Sequence, residues 1–461
     1  THNAAWSDLP TAVDRYAGRG RLVRSLFVPG LQLLELRADR WDFDDERQRW
    51  VRPGVSFRRL IGLVETDGEA VALVDLSRVR GGITHWRTCR GLEGEFAADA
   101  LTLEKREGTV AAADGVRGDL SQIDHPDHTA LAYMDNIFFA EPSASWTGEW
   151  RSSVESSVRL ILHQARLSPD TELLTARSTA AMGTPEESGY NYRTLLWKRA
   201  PNGPEDESVV DLVFEPRVNE ASSSKVTAIA SEKPDAAGLS IKTPEGRTVS
   251  VYWSPESDAD ASITYADGTK IQGPLAAVVD GSLSAVGCAS ATVGGSTFTV
   301  AKPRQTGVIQ ALAINPRQID VAGIPDVQPG NRVVVNPEGR GHSYLVENVK
   351  TASENIQTLT LDVKSLLGRG RLISSIGNEL TLQYTILART GNLIGTRVQS
   401  EHHGFWGEIE NAYNPGDNRT VIILSPAVGQ EEQLRSLEAG EWISVVDYIV
   451  GDAVLFESSP A

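Results

Sequence analysis

Short β-type runs cut by glycine turns recur along this chain so densely that they leave little room for another fold. Between Val249 and Val300 the segments ADGTKIQG, VDGSLSAVG and TVGGSTFTV alternate apolar positions with turn residues. Turn signals spaced roughly 8–12 residues apart predict an antiparallel β-sandwich. The same texture runs back through Leu22–Val28, Leu31–Leu36, Phe57–Val64, Leu131–Ala140, Val158–Gln164 and Val209–Pro216, and forward through ALAINPRQIDVAG and GEWISVVDYIVGDAVLF. Residues 218–250, rich in Ser, Lys, Glu and Pro, read as a turn region. Helical patterns are confined to pieces such as Ser153–Leu160 and Glu431–Leu437, and no internal repeat or coiled coil is visible. The expected fold class is therefore all-β. A large antiparallel β-sandwich over 1–305 is followed by a smaller C-terminal all-β module over 306–461, within the two to four domains that 461 residues suggest.

Charge narrows the partners. The chain carries a net charge of −17, which argues against nucleic acid. No run approaches the ~18 apolar residues of a membrane span, so no membrane partner is expected either. The charge is uneven: residues 1–95 hold 15 arginines and no lysine against 14 acidic residues. Guanidinium forks suit carboxylate and sulfate groups bidentately, although an arginine-biased composition would also produce this. Cys89 and Cys288 sit far apart in apolar runs and are expected as two buried thiols rather than one bridge. The opening Thr1 predicts a processing point or boundary ahead of it, with any targeting signal removed.

Two stretches stand out. In Gly68–Phe96 (GEAVALVDLSRVRGGITHWRTCRGLEGEF) the runs Ala70–Leu76 and Ile83–Cys89 flank Gly81-Gly82 and read as a hairpin carrying His85 and Trp86. Arg37–Arg52 (RADRWDFDDERQRWVR) reads as a charged loop. There Trp41 and Trp50 could stack on sugar rings among Arg40, Arg47, Arg49 and Arg52; the competing reading is a solvated charge run whose tryptophans pack locally. The His-bearing runs Asp124–His128 and Glu401–Trp406 read as a surface turn and an exposed strand edge. GxSxG, P-loop, HExxH and Rossmann patterns are absent from the sequence.

The Gly68–Phe96 wording resembles the "valDlxrvxGGxxHxxxxxxG" stretch in the β-sandwich of the heparinase II/III-like polysaccharide lyases. Thr1-His2-Asn3 is similar to the "AHNt" link that precedes that sandwich. TARSTAAMGTPEESGYNYRTLLWKRAPNG, leading into VVDLVFEP, is similar to the family's small-residue loop and Tyr-bearing strand before "FvtvleP". Residues 306–461 resemble the C-terminal β module of the larger members.

The resemblance implies the β portion of a secreted or periplasmic bacterial lyase, a carbon–oxygen lyase that cleaves uronic-acid polymers such as glycosaminoglycans by β-elimination. Such chemistry needs a group to neutralise the uronate carboxylate, a base for the C5 proton and an acid for the leaving oxygen. In the family most of these, a catalytic Tyr included, come from an N-terminal (α/α) toroid, so a toroid chain and an anionic polysaccharide are the implied partners. His2 is the implied catalytic residue. Asn3, Trp41, Arg47, Arg49, Trp50, His85, Tyr190 and Tyr192 are the candidates for substrate binding. His85 could instead support the fold or hold a divalent ion, zinc or calcium, but the family's following "HG" histidine is replaced by Arg90 before Gly91, one ligand fewer than a zinc site wants. The alternatives are a non-catalytic carbohydrate-binding or structural β protein and a glycoside hydrolase accessory domain.

Overall fold

A computed structural model describes residues 5–8, 16–44, 46, 49–66, 71–98, 100–123, 126–155, 157–179, 191–219, 221–255, 262–313, 317–337, 341–384, 386, 388, 392–400, 406–426 and 431–458. The protein is all-β: strands make up 62% of it, in antiparallel sheets arranged as a sandwich. Helix among the described residues is limited to the 3-10 turns Leu120–Gln122 and Pro126–Tyr133 and the single turn Glu431–Arg435. None is long and apolar enough to cross a membrane.

The sandwich is one long sheet doubled over, and the strand Thr84–Ala97 is the fold line. Its last residues, Gly94–Ala97, pair with Trp146–Ser152 in what becomes the central layer. Its first part pairs with Ala5–Asp8 on one side and Asn191–Arg199 on the other in the outer layer. Glycine makes the crossing feasible. A Cβ on Gly94, whose φ is +143°, would lie 1.9 Å from the Arg151 carbonyl oxygen, and one on Gly91 would sit inside the Trp150 ring. The central layer continues through Val158–Leu167, Ser208–Val218, Val71–Arg80, Ser56–Glu65 and Leu31–Asp44 to Tyr16–Val28. The outer layer continues through Glu172–Thr179 and Asp135–Ala140 to Glu104–Arg106.

Strand alternation then sorts the cores. Leu162, Leu212 and Phe214 of the central layer meet Cys89, Leu195 and Trp197 of the outer layer. Central-layer residues pointing the other way, including Leu33, Leu60, Val74 and Leu76, pack on Leu239, Ile241, Val251 and Leu275 of a separate five-stranded sheet. Each such fully buried aliphatic side chain contributes about 1.5–3 kcal/mol. A four-stranded sheet covers the far side of that third layer around Tyr252, Tyr265 and Cys288. Glu215 ties the central layer to the chain entering the third, accepting from Ser224 N at 2.9 Å, from Arg217 at 2.6 Å and from His163 at 3.4 Å. Burial alone would raise its pKa; these donors outweigh that and lower it to about 2.

From Arg304 onward the chain forms two closed six-stranded barrels. It lays down five strands of the first, completes the second between Leu366 and Val446, and returns with Ala453–Glu457 to close the first.

Several local expectations are corrected. Val71–Arg80 and Thr84–Ala97 do not form a hairpin; the first pairs with Ser56–Glu65 and Ser208–Val218, in a different layer from its successor's first half. Gly81 and Gly82, both at positive φ (83° and 86°), carry the chain across the core as an arch. Arg37–Arg52 is mostly strand: Leu31–Asp44 runs on because Arg40 and Asp42 bury as a 2.7 Å ion pair, and Arg49–Val51 pairs back on it. Residues 218–250 carry the strands Lys225–Ile229, Ala237–Lys242 and Thr248–Trp253, whose polar residues fall at turns and outward positions. The strand expected from Leu131 begins at Asp135, after the 3-10 turn, and Ser153–Leu160 is not helical, since a strand starts at Val158. Both cysteines are free and buried.

Candidate functional site

The strand Thr84–Ala97 presents two chemistries on its two faces. Inward, toward the central layer, stand His85, Arg87 and Cys89. His85 is 3% exposed. Its Nε2–H donates to the Gly81 carbonyl (2.8 Å), which leaves Nδ1 to accept from Ser208 Oγ (2.7 Å). Arg199 Nη1 in turn donates to Ser208 Oγ at 3.1 Å. Burial, helped by the Arg199 charge, holds the imidazole below its usual pKa. With both nitrogens engaged, the surroundings of His85 fit neither zinc nor calcium. Among the described residues no three His, Cys, Asp or Glu side chains come together in a way that could hold a metal ion. Arg87 pairs with Asp75, which Arg59 also grips bidentately at 2.7 and 2.7 Å. Burial would raise the Asp75 carboxyl, yet the charges of Arg87 and Arg59 hold it below the usual range. Burial pushes the Cys89 thiol up to about 12, which makes it a poor nucleophile.

Outward stand Trp86, Thr88 and Arg90. Trp86 stacks on Trp6 (centroids 5.5 Å apart, planes within 6°) and donates its indole N–H to Asp8 at 2.9 Å. His128 Nε2 donates to the same carboxylate oxygen at 2.8 Å and meets Trp86 edge-on. Further along the strand, Arg90 lies opposite Thr194, and its guanidinium sits 5.3 Å from the Tyr192 ring centroid. Ser178 and Thr194 share a 2.6 Å hydrogen bond. Trp6, Thr88, Arg90, Leu131, Met134 and Thr194 line a cleft of about 20 Å³. Arg90 and Tyr192 are half-buried. Burial lowers the Arg90 pKa, but a guanidinium remains charged at any physiological pH. The half-buried cation and aromatic ring are what this face can offer to a polar, anionic ligand.

The residues singled out from sequence do not converge. His2, Asn3, Arg47 and Tyr190 lie outside the described residues. Tyr192 is on the outer face, whereas His85 belongs to the opposite face of the neighbouring strand. Trp41 lies in the central layer, partly buried against the same apolar cluster as Ile394 and Tyr413, with the Arg52 guanidinium 5.6 Å from its ring centroid. Of Arg49 and Trp50 the structure describes the backbone, paired with Asp44 and Phe43. Asp8, Arg90 and His128 were missed as a group, and the available signal was alternation: counting by twos from Trp86 reaches Thr88 and Arg90. No family model matches the chain, and no curated protein is significantly similar to it.

Proposed function

We propose that this chain is the β portion of a polysaccharide lyase that cleaves uronic-acid-containing polymers by β-elimination, working with an (α/α) toroid docked over the outer layer. The observation that carries the reading is the half-buried Arg90 beside Tyr192, on the strand that also pairs with Ala5–Asp8. His2 precedes that border strand by three residues in the sequence. In this scheme Arg90 takes the uronate carboxylate and Tyr192 lies against the sugar. His2 helps neutralise the carboxylate, which acidifies the C5 proton. A toroid base removes that proton, the C4–C5 double bond forms, and the C4–O bond breaks as the leaving oxygen takes a proton from a toroid acid. An exported location goes with such a substrate.

The test supplies uronate polymers to the chain alone and with a toroid partner, following the ultraviolet absorbance of the unsaturated product. Product only with the toroid, reduced by Arg90→Gln, Tyr192→Phe and His2→Ala, is expected. Retention of intact polymer with no unsaturated product, toroid present, would overturn the lyase reading and favour a non-catalytic carbohydrate-binding protein. Hydrolytic products without the double bond would point to a glycoside hydrolase accessory role.

A further inference from the structure

Between the central layer and the first barrel runs a cleft in two chambers, of about 700 and about 180 Å³, which meet at Arg24 and Glu457. At the meeting point charge is balanced. Arg24 pairs with Glu35 and, at 2.9 Å, with Glu457, and Arg304 donates to Glu457 at 3.0 Å. The smaller chamber also has Arg21, Arg37 and Arg58 on its wall. Register sets these three directly opposite one another on adjacent strands, Arg21 against Arg37 and Arg37 against Arg58. The row continues to Arg78, which is buried and paired with Asp211.

Side chains directly opposite in an antiparallel pair have Cβ atoms about 4.5–5.5 Å apart, and like charges there are destabilising. The Arg21 pKa is lowered first by burial and then by the charges of Arg37, Arg52 and Arg58, with Asp39 opposing. Asp39 is itself held by Arg52 at 3.0 Å and stands 3.7 Å from Arg37 Nε. That Nε is buried and makes no hydrogen bond among the described residues. A row of forked donors facing a cavity suits a group with several acceptor oxygens and negative charge. The larger chamber, opening from the same point with Arg247, Arg332 and Asn331 on its wall, far exceeds the volume of one such group.

We propose that the Arg21–Arg37–Arg58 row binds an oxyanion, sulfate or carboxylate, carried on an extended polyanion that lies along the cleft between the sandwich and the first barrel. The choice of a uronate polymer rests on the lyase reading; the anion site does not, since it lies in another layer from Arg90 and needs no elimination chemistry.

The experiment is calorimetric titration of the chain, without a toroid, with sodium sulfate, with a heparin-derived hexasaccharide and with an oligogalacturonate. An oligosaccharide should bind, more weakly as salt rises. The double variant Arg37→Gln/Arg58→Gln should bind it at least about tenfold more weakly, the loss expected for one or more charge-assisted hydrogen bonds. Val334→Trp, which narrows both chambers without touching an arginine, should weaken it as well. Unchanged affinity in the arginine variant, with its melting transition intact, overturns the site. If that variant does not fold, unchanged affinity in Val334→Trp overturns it instead. Sulfate binding as tightly as the oligosaccharides would overturn the polymer and leave a free-anion site.

Discussion

Alternate residues of one strand, Thr84–Ala97, behave as if they belonged to two proteins. Inward, His85, Arg87 and Cys89 are buried, His85 with both ring nitrogens bonded to Ser208 and Gly81, Arg87 paired with Asp75 and Cys89 in the sandwich core. Outward, Trp86 and Thr88 are just as buried, Trp86 in a second apolar cluster with Leu131, Met134 and Leu196, while Arg90 beside Tyr192 is half-buried. Arg90 differs from the others in burial. A titratable group enclosed between two layers must have its hydrogen bonds met by the protein, and once they are met it has nothing left to offer a ligand. Conspicuous residues in a strand motif are thus poor guides to function until the face they occupy is known.

The sharpest way to break this contrast is at Asp75. Asp75→Ala strands Arg59 and Arg87 in the core and should cost about 3–5 kcal/mol in urea unfolding. A loss near the ~0.5 kcal/mol of a surface change would mean the inward face is less closed than its geometry states.

Next comes Glu215, the other saturated carboxylate. Its folded pKa of about 2 lies below the ordinary 4.5, so the stability it contributes is present above pH 4.5 and is lost as pH falls from there toward 2. Glu215→Gln should remove that acid limb and cost about 2–3 kcal/mol at neutral pH. An acid-unfolding curve with the same limb in the variant would refute the assignment.

His85→Leu should cost about 1–3 kcal/mol, because the Gly81 carbonyl and Ser208 lose their partner. The sign of its pH effect follows from a folded pKa below 6.5. As pH drops through 6.5 the unfolded chain takes up the proton first, so stability declines, and the decline ends once pH passes the folded pKa. The variant should lack this step. Added zinc or calcium should leave the melting temperature of the parent unchanged, and a metal-dependent rise abolished by His85→Leu would reopen the inward face as a site.

The smallest stability effects belong to the outer face. Arg90→Gln and Tyr192→Phe should each shift unfolding by no more than about 0.5 kcal/mol. A loss above 2 kcal/mol from either would make the two faces structurally alike and end the contrast.

How much of this was legible beforehand depended on the kind of signal. Leu22–Val28, Phe57–Val64 and Val209–Pro216 were found because branched and apolar residues bounded by turns announce strands locally. The arch at Gly81-Gly82 was misread because two glycines between strands look alike whether the chain turns back on itself or crosses a core. Arg40 and Asp42 were misread as loop because a buried ion pair has the composition of a surface. Tyr192 was picked out, but Arg90 beside it was noticed only as a replaced histidine, and His128 was set aside as part of a turn. Their neighbours in space, Thr194 and Asp8, lie 104 and 120 positions away along the chain.

The sequence by itself determined that this protein would be built of strands, since side-chain alternation and glycine turns are local properties that each segment carries alone. It also determined that both thiols would be buried. Only the tertiary structure decided that one sheet doubles over to make two layers, that the C-terminal region is two barrels with one inserted in the other, and which face of each strand is closed. Those outcomes depend on which strands pair across long separations. Pairing partners are chosen by the burial of whole faces at once, and no single segment records that choice.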